Sequence, residues 1–275
     1  MERLNISVRD IQMNVKRYNS ESDKKVVLLH GFTGSTNTWE EVVSSIDPSI
    51  EILTIDLIGH GETDKPKEAR RYHVEEQVAD LHELFQQIGW EHFTLVGYSM
   101  GGRLALAYSS KHGVDRLILE SSSPGLNDQD ARIERKFADE QLAQRIIEEG
   151  VPVFIDYWEQ IPLFDSQKRL SHKKKKMIRE ERLSQTAVGL SNSLKGFSTG
   201  EQPSLWGNLN SLHIPVTLLT GELDVKFCEI AKKMLALLPN ADWKIINNVG
   251  HAIHVENPKL FATIVEDIIL KEDIR

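Results

Sequence analysis

The chain has 275 residues, with 33 lysines and arginines against 41 aspartates and glutamates, and its formal net charge at pH 7 is −8. Its single cysteine excludes an internal disulfide and a cysteine-based zinc or iron–sulfur site, which indicates a reducing compartment. The acidic balance opposes binding to nucleic acid or anionic lipid, and the apolar runs are far shorter than the ~20 residues of a membrane span. Because charges also stand where a signal peptide needs an apolar core, we expect a cytoplasmic protein without a nucleic-acid or membrane partner.

The first segments of the chain predict strands. Residues 6–8 and 11–15 alternate apolar and polar side chains around Arg9-Asp10, which predicts an antiparallel hairpin at a sheet edge. Later runs rich in valine and isoleucine do not alternate and end in glycine-containing turns, as strands buried on both faces do. These runs are residues 26–29, 52–55, 93–96, 117–119, 216–219 and 243–246. Helical periodicity between them, clearest over residues 72–88, predicts an α/β fold with a mostly parallel central sheet flanked by helices.

This rhythm breaks between residues 125 and 210, where no buried-strand run occurs. The sequence there is helical and highly charged over residues 130–149 and 172–182. We interpret it as a helical cap inserted into the sheet domain, which predicts three segments: residues 1–124 and 211–275 as the two parts of the core, and 125–210 as the cap. The lysine run 173–176 could suggest a nucleic-acid patch. Acidic residues follow it closely and no aromatic residues interleave, so a solvated helix face is favoured.

A candidate nucleophile lies between a predicted buried strand and the helical pattern of residues 103–108. Gly97-Tyr-Ser-Met-Gly101 matches G-x-S-x-G, a sharp strand-to-helix turn that exposes the hydroxyl of Ser99 at the top of the sheet. The same turn places the backbone N–H of Met100 at a helix N-terminus, where developing negative charge is stabilised. The second oxyanion donor is expected in the loop after the first parallel strand, where the N–H of Phe32 is the candidate.

A serine hydroxyl needs a base to act at neutral pH, and the base needs an orienting acid. Asp224 and His251 each follow a predicted strand, so both are expected at the carboxyl edge of the sheet beside Ser99, in the chain order serine, acid, histidine. Glu222 is a competing acid, although Asp224 lies deeper in the loop. His254 is more readily explained as a packing or capping histidine than as the base.

Three other residues have a structural interpretation. Asp56 and His60 could suggest a metal site, but two ligands without a third at suitable spacing make a weak one, so a loop-stabilising role is favoured. Cys228 follows the predicted acid by one helical turn and is interpreted as a packed small residue. We therefore expect no metal and no other cofactor.

Taken together, His30-Gly-Phe32, the G-x-S-x-G segment and Gly250-His251 resemble the α/β-hydrolase superfamily along essentially the whole chain. Finer features resemble one of its families, the 2-succinyl-6-hydroxy-2,4-cyclohexadiene-1-carboxylate synthases of menaquinone biosynthesis. These features are Gly97-Tyr-Ser-Met-Gly-Gly-Arg103, Ser121-Ser-Ser-Pro-Gly-Leu126 followed by Arg132 and Arg135, and the cap stretches 182–185 and 194–206. The resemblance implies an α/β-hydrolase fold and a lyase that eliminates pyruvate from 2-succinyl-5-enolpyruvoyl-6-hydroxy-3-cyclohexene-1-carboxylate.

The resemblance also implies a substrate pocket. Its lining residues would be Tyr98, Arg103, Arg135, Arg182 and Trp158. The family's substrate is a small polycarboxylate with three carboxylates, and guanidinium groups match carboxylates in bidentate geometry. Arg103 also stands four residues after the nucleophile, one helical turn into its helix, which places it near the site. An anionic ligand in a chain of net charge −8 requires a local concentration of positive charge.

Two functional questions stay open at the level of sequence. In the implied elimination His251, oriented by Asp224, deprotonates Ser99, whose alkoxide removes a ring proton. A role of Ser99 as nucleophile needs the same three residues, so the sequence does not separate base from nucleophile. A serine carboxylester or C–C bond hydrolase is therefore the alternative function. A non-catalytic binding protein of this fold is disfavoured, because Ser99, Asp224 and His251 are all present. The assembly is expected to be a monomer or a small homo-oligomer.

Overall fold

A computed structural model of the chain describes residues 1–20 and 22–270, and within them one eight-stranded sheet forms the framework. The strands are β1 (Glu2–Val8), β2 (Ile11–Tyr18), β3 (Lys24–Leu29), β4 (Ile50–Ile55), β5 (Thr94–Tyr98), β6 (Arg116–Glu120), β7 (Val216–Gly221) and β8 (Ala241–Ile246). Their spatial order is β1-β2-β4-β3-β5-β6-β7-β8. The β1–β2 and β2–β4 pairs are antiparallel, and the other neighbouring pairs are parallel. The predicted edge hairpin and mostly parallel sheet are confirmed.

Burial explains why the strand runs lack alternation. Every residue of β4, β5 and β7 is buried, because helices cover both faces of the sheet. In β3, Val26 and Leu28 pack into one apolar layer and Val27 and Leu29 into the other. The edge strand β1 alternates exposed with less exposed residues, as its sequence pattern predicts.

Ten α-helices are described. They are α1 (Glu40–Val43), α2 (Val74–Ile88), α3 (Met100–Ser109), α4 (Gln129–Glu149), α5 (Val151–Trp158), α6 (His172–Leu183), α7 (Ala187–Phe197), α8 (Val225–Leu235), α9 (Ile253–Glu256) and α10 (Pro258–Leu270). One apolar layer contains α2, α3 and α8, and the opposite layer contains α1, α9 and α10. Short 3-10 helices occur at Thr36–Trp39, Ala69–Tyr72, Pro162–Arg169 and Trp206–Ser211. Among the described residues, no helix is long and apolar enough to cross a bilayer.

Helices α4 to α7 lie between β6 and β7. Buried side chains of α4, α5 and α7 form a small apolar cluster that is separate from the two layers of the sheet domain. Helix α6 contacts the core loops: the hydroxyl of Ser35 donates to Glu181 Oε1 at 2.6 Å, and Gln185 Nε2 donates to the carbonyl of Gly34 at 3.3 Å. The helical patterns over residues 130–149 and 172–182 are confirmed by α4 and α6. The predicted boundaries 1–124, 125–210 and 211–275 stay a prediction, and residues 271–275 lie outside the described part.

The sequence pattern does not indicate α7. Its middle residues Ser191, Asn192 and Ser193 are small and polar, yet they are buried. Close packing explains this composition, because a Cβ on Gly189 would lie 1.9 Å from the carbonyl oxygen of Gly59 in the core. The amide of Asn192 also donates to two core carbonyls, each at 3.0 Å. Only small side chains allow a helix to approach the sheet domain so closely.

Candidate active site

Ser99 lies on the tight turn between β5 and α3, with φ 49° and ψ −104°. A residue with a side chain rarely adopts positive φ, so this backbone is strained and needs support from its surroundings. The N–H of Ser99 donates to the carbonyl of Glu120 at 2.9 Å. A Cβ on Gly97 would lie 2.5 Å from the carbonyl oxygen of Gly101, so the glycine spacing of the motif follows from the closeness of strand and helix.

The structure brings the three candidate catalytic residues into one hydrogen-bonded chain. His251 Nε2 lies 3.0 Å from Ser99 Oγ, and His251 Nδ1 lies 2.6 Å from Asp224 Oδ2. Since a carboxylate can only accept, Nδ1 donates to Asp224 and leaves Nε2 to accept the serine proton. His251 and Asp224 are both buried. This is the geometry that activates a serine hydroxyl.

The two competing residues lie elsewhere. Glu222 is exposed, and its carboxylate accepts the N–H of Asn248 at 3.0 Å. His254 is buried, and its Nδ1 lies 2.8 and 2.9 Å from the two carboxylate oxygens of Glu120. Its Nε2 lies 3.1 Å from Thr38 Oγ1, so the ring is held on both sides and does not reach the serine by any described contact.

A cavity of about 540 Å³ opens beside the triad. Ser99 and His251 line it, together with both oxyanion candidates, Phe32 and Met100. Met100 is the first residue of α3, and the first N–H groups of a helix have no intrahelical acceptor. The cavity is therefore bordered by a donor that the fold leaves available close to the hydroxyl.

Arg103 lines the same cavity although its side chain is almost entirely buried. Its guanidinium donates to the carbonyl of Phe197 at 2.8 Å and to the side-chain oxygen of Gln202, and it lies 4.4 Å from the centroid of the Phe197 ring. Among the described residues no carboxylate pairs with it. Burial lowers the pKa of Arg103 to about 9, and the positive charge of Arg135 contributes. A buried cation held only by neutral groups is prepared for an anionic ligand.

The other two predicted arginines differ from Arg103. Arg135 lines the cavity, but its Nε donates to Asp139 at 2.7 Å within α4. Arg182 is not among the residues that line the cavity of Ser99. It borders a neighbouring cavity of about 540 Å³, stacks 4.6 Å from the ring centroid of Phe164, and lies 3.6 Å from Glu159. Burial lowers the pKa of Arg182. Phe164 lines both cavities and therefore stands between them.

Both predicted aromatic residues line the cavity. The Tyr98 ring lies between two imidazoles, with centroids 5.3 Å from His251 and 4.5 Å from His254. Burial raises the pKa of Tyr98 well above its usual value, so its hydroxyl stays protonated and able to donate. Trp158 packs edge-on against Phe32 at 5.4 Å, and its buried Nε1 has no hydrogen-bond partner among the residues that the structure describes.

Sequence reasoning missed two basic residues. Lys226 and Lys233 on α8 line the cavity, with Ile230 between them. Their spacing of four and three residues places all three on one helix face. That periodicity, directly after the predicted acid, was a usable signal. Gln202 was also missed, and only the packed structure places it against Arg103.

The loop residues have the structural contacts expected of them. The Asp56 carboxylate accepts the N–H of Thr36 at 2.6 Å, the Asn14 amide at 2.7 Å and the N–H of Glu62 at 2.8 Å. His60 lies 3.1 Å from a carbonyl within its own loop. Asp56 therefore holds three segments of chain together, a loop-stabilising arrangement.

A family model described as alpha/beta hydrolase fold matches residues 24–258. A Bacillus subtilis (strain 168) protein provisionally named 2-succinyl-6-hydroxy-2,4-cyclohexadiene-1-carboxylate synthase is 42% identical, over 98% of this chain and 99% of its own. An Enterobacter sp. (strain 638) protein of that name is 31% identical, over 89% of this chain and 91% of its own. The structure of MenH from S. aureus is 35% identical, with a TM-score of 0.89 over 96% of this chain and 99% of that chain.

Proposed function

The chain belongs to the α/β-hydrolase superfamily and, within it, to the 2-succinyl-6-hydroxy-2,4-cyclohexadiene-1-carboxylate synthase family, and from this premise we propose its reaction. The enzyme is a carbon–oxygen lyase of menaquinone biosynthesis. It eliminates pyruvate from 2-succinyl-5-enolpyruvoyl-6-hydroxy-3-cyclohexene-1-carboxylate and leaves 2-succinyl-6-hydroxy-2,4-cyclohexadiene-1-carboxylate. We propose that it works in the cytoplasm, a reducing compartment that fits a chain with a single cysteine.

One observation carries the proposal: the buried guanidinium of Arg103, which has no carboxylate partner in the described part of the chain, borders the same cavity as Ser99. A buried cation costs free energy unless an anion pairs with it. The uncharged acyl group of an ordinary ester would provide no such anion. The proposed substrate carries carboxylates on its ring, its succinyl chain and its enolpyruvoyl group. Arg103 is available to bind one of them.

The triad acts as a base in this reaction. His251 takes the proton of Ser99, and the resulting alkoxide removes the ring proton from the carbon that bears the succinyl group. The electron pair left behind moves through the ring double bond, and the carbon–oxygen bond to the enolpyruvoyl group breaks. The departing enolpyruvate takes the proton from His251 and becomes pyruvate. Ser99 and His251 thereby return to their starting states, while Asp224 stabilises the imidazolium between the steps.

The oxyanion donors have a defined task. The proton that Ser99 removes is adjacent to the succinyl ketone, so negative charge collects on that carbonyl oxygen as the proton leaves. The backbone N–H groups of Met100 and Phe32 stabilise this charge. Tyr98, Arg135 and Trp158 complete the cavity wall. Arg182 contributes its positive charge from the far side of Phe164.

The deciding experiment supplies purified protein with the enolpyruvoyl substrate and measures pyruvate release, next to hydrolysis of an uncharged aryl ester. We expect pyruvate release with slow ester hydrolysis. Fast ester hydrolysis without pyruvate would instead establish the serine hydrolase alternative.

Variants then test the assigned roles. Ser99→Ala and His251→Ala should each abolish pyruvate release, while the midpoint of thermal unfolding stays near that of the wild type. Mass spectrometry of wild-type protein during turnover should find no covalent adduct on Ser99, because the base mechanism forms none. A stable acyl adduct would show that the serine is a nucleophile.

A further inference from the structure

One face of α8 forms a basic wall of the cavity. Lys226, Ile230 and Lys233 follow one another at intervals of four and three residues, and all three line the cavity that contains Ser99. The side chains of Lys226 and Lys233 are exposed, so the wall is at the mouth of the cavity. Lys226 Nζ lies 5.6 Å from the centroid of the Phe227 ring, which packs 4.6 Å from the His251 ring. The Phe227 ring therefore lies in contact range of both the first lysine and His251.

Neither lysine has an acidic partner among residues 1–20 and 22–270. The other basic residues that border the cavity are Arg103, which is unpaired, and Arg135, whose charge is balanced by Asp139. Within the part of the chain that the structure describes, three cations that line the cavity thus remain without a carboxylate partner: one buried on α3 and two at the mouth on α8. The one carboxylate that lines the cavity, Asp128, caps α4 by accepting the N–H of Ala131 at 2.8 Å.

The number of unpaired cations equals the number of carboxylates on the proposed substrate. In a chain of net charge −8, an anionic ligand is repelled unless positive charge concentrates where it enters. Lysine suits an exposed mouth, because its flexible stem and point charge can follow a ligand without a fixed geometry. The buried arginine suits the interior, because its planar fork fixes one carboxylate in orientation.

We propose that Lys226 and Lys233 bind the carboxylates of the substrate that lie outermost, so that α8 selects polycarboxylates over uncharged esters. This inference rests on the proposed function and deepens it. The two lysines act on capture and specificity, and they do not take part in proton transfer. Substitution of either lysine should therefore raise KM and leave kcat little changed.

The test compares Lys226→Met, Lys233→Met and the double variant with Lys232→Met, a matched control on the same helix that does not line the cavity. Exposed charge pairs are individually modest, so each single variant should raise KM for the enolpyruvoyl substrate about threefold and the double variant about tenfold. Added sodium chloride should raise the KM of wild type and control more steeply than that of the double variant, because salt screens the lost attraction. Since these side chains are exposed, the thermal unfolding midpoints should agree across the set.

A second measurement separates this inference from the proposed function. Citrate is an unreactive tricarboxylate, and calorimetry should find it bound by wild type and Lys232→Met and bound several-fold more weakly by the double variant. If wild type releases no pyruvate, the proposed reaction fails, and citrate binding still tests the lysines. Equal KM values and equal citrate affinities in the double variant and the control would overturn the inference. A loss of kcat at unchanged KM in the double variant would also overturn it.

Discussion

We predict that the free energy of unfolding falls as the pH drops below about 6.5, and that part of this fall comes from His60. The ring is fully buried, and Nδ1 donates to the carbonyl of Ile58 at 3.1 Å. Nε2 has no hydrogen-bond partner within residues 1–20 and 22–270. A proton on Nε2 would place an unpaired charge among the rings of His30 and Phe32, at centroid distances of 5.2 and 5.8 Å. Burial lowers the pKa of His60 to about 3, and His30 and Lys65 contribute repulsion.

The sign and size of the effect follow from proton binding. Unfolded His60 takes up a proton near pH 6.5 and folded His60 only near pH 3, so acid favours the unfolded chain between these values. One proton difference changes the free energy of unfolding by about 1.4 kcal/mol per pH unit. Between pH 6.5 and pH 4.5 the loss from His60 is about 2 kcal/mol, a substantial part of the total stability of a typical domain. Burial also lowers the pKa of His30, which adds a loss of the same sign.

The assay is urea denaturation at several pH values from 7.5 to 4.5. His60→Gln keeps an amide that can donate to the Ile58 carbonyl but cannot take up a proton in this range. We expect the free energy of unfolding of this variant to decline less steeply with falling pH than that of the wild type. The difference in slope should correspond to about one proton, or about 1.4 kcal/mol per pH unit. His213→Gln, at an exposed histidine, is the control and should follow the wild-type slope. Parallel curves for wild type and His60→Gln would refute the argument, whatever the difference in absolute stability.

Two further substitutions test packing near the site. Glu120→Ala should lower the free energy of unfolding by about 3–5 kcal/mol in urea denaturation, because it leaves buried His254 without its carboxylate. Glu120→Gln should lower the free energy of unfolding by less. If Glu120→Ala were as stable as the wild type, the contact between Glu120 and His254 would contribute nothing to stability. Gly189→Ala should lower the thermal unfolding midpoint, because its Cβ would meet the Gly59 carbonyl at 1.9 Å. A Cβ on Gly113 would have no neighbour within 4 Å, so Gly113→Ala should leave the midpoint unchanged. Equal midpoints for the two variants would contradict the packing argument.

The buried strands and the triad candidates were readable from sequence because they depend on local rules. A strand buried on both faces needs a continuous apolar run. Five of the six runs lie within β3, β4, β6, β7 and β8, and the run 93–96 begins one residue before β5. The turn around Ser99 needs glycine wherever strand and helix approach closely. Asp224 and His251 each follow a parallel strand, β7 and β8, and parallel strands place their carboxyl ends at the same edge of the sheet. The hydrogen bonds between the three side chains agree with that placement.

The composition of the cavity wall was decided only by the tertiary structure. Whether a basic side chain faces the cavity depends on how helices from distant parts of the chain pack. The spacing of Lys226 and Lys233 indicates that they share one helix face, and only the packing shows that this face borders the cavity. Packing puts Phe164 between Arg182 and the cavity of Ser99. It also buries the polar helix α7, because small side chains permit the close approach of Gly189 to the core. Sequence by itself determined the strand runs and the candidate serine with its two candidate partners, since these follow from periodicity and turn geometry. Long-range packing decided which cations surround that serine.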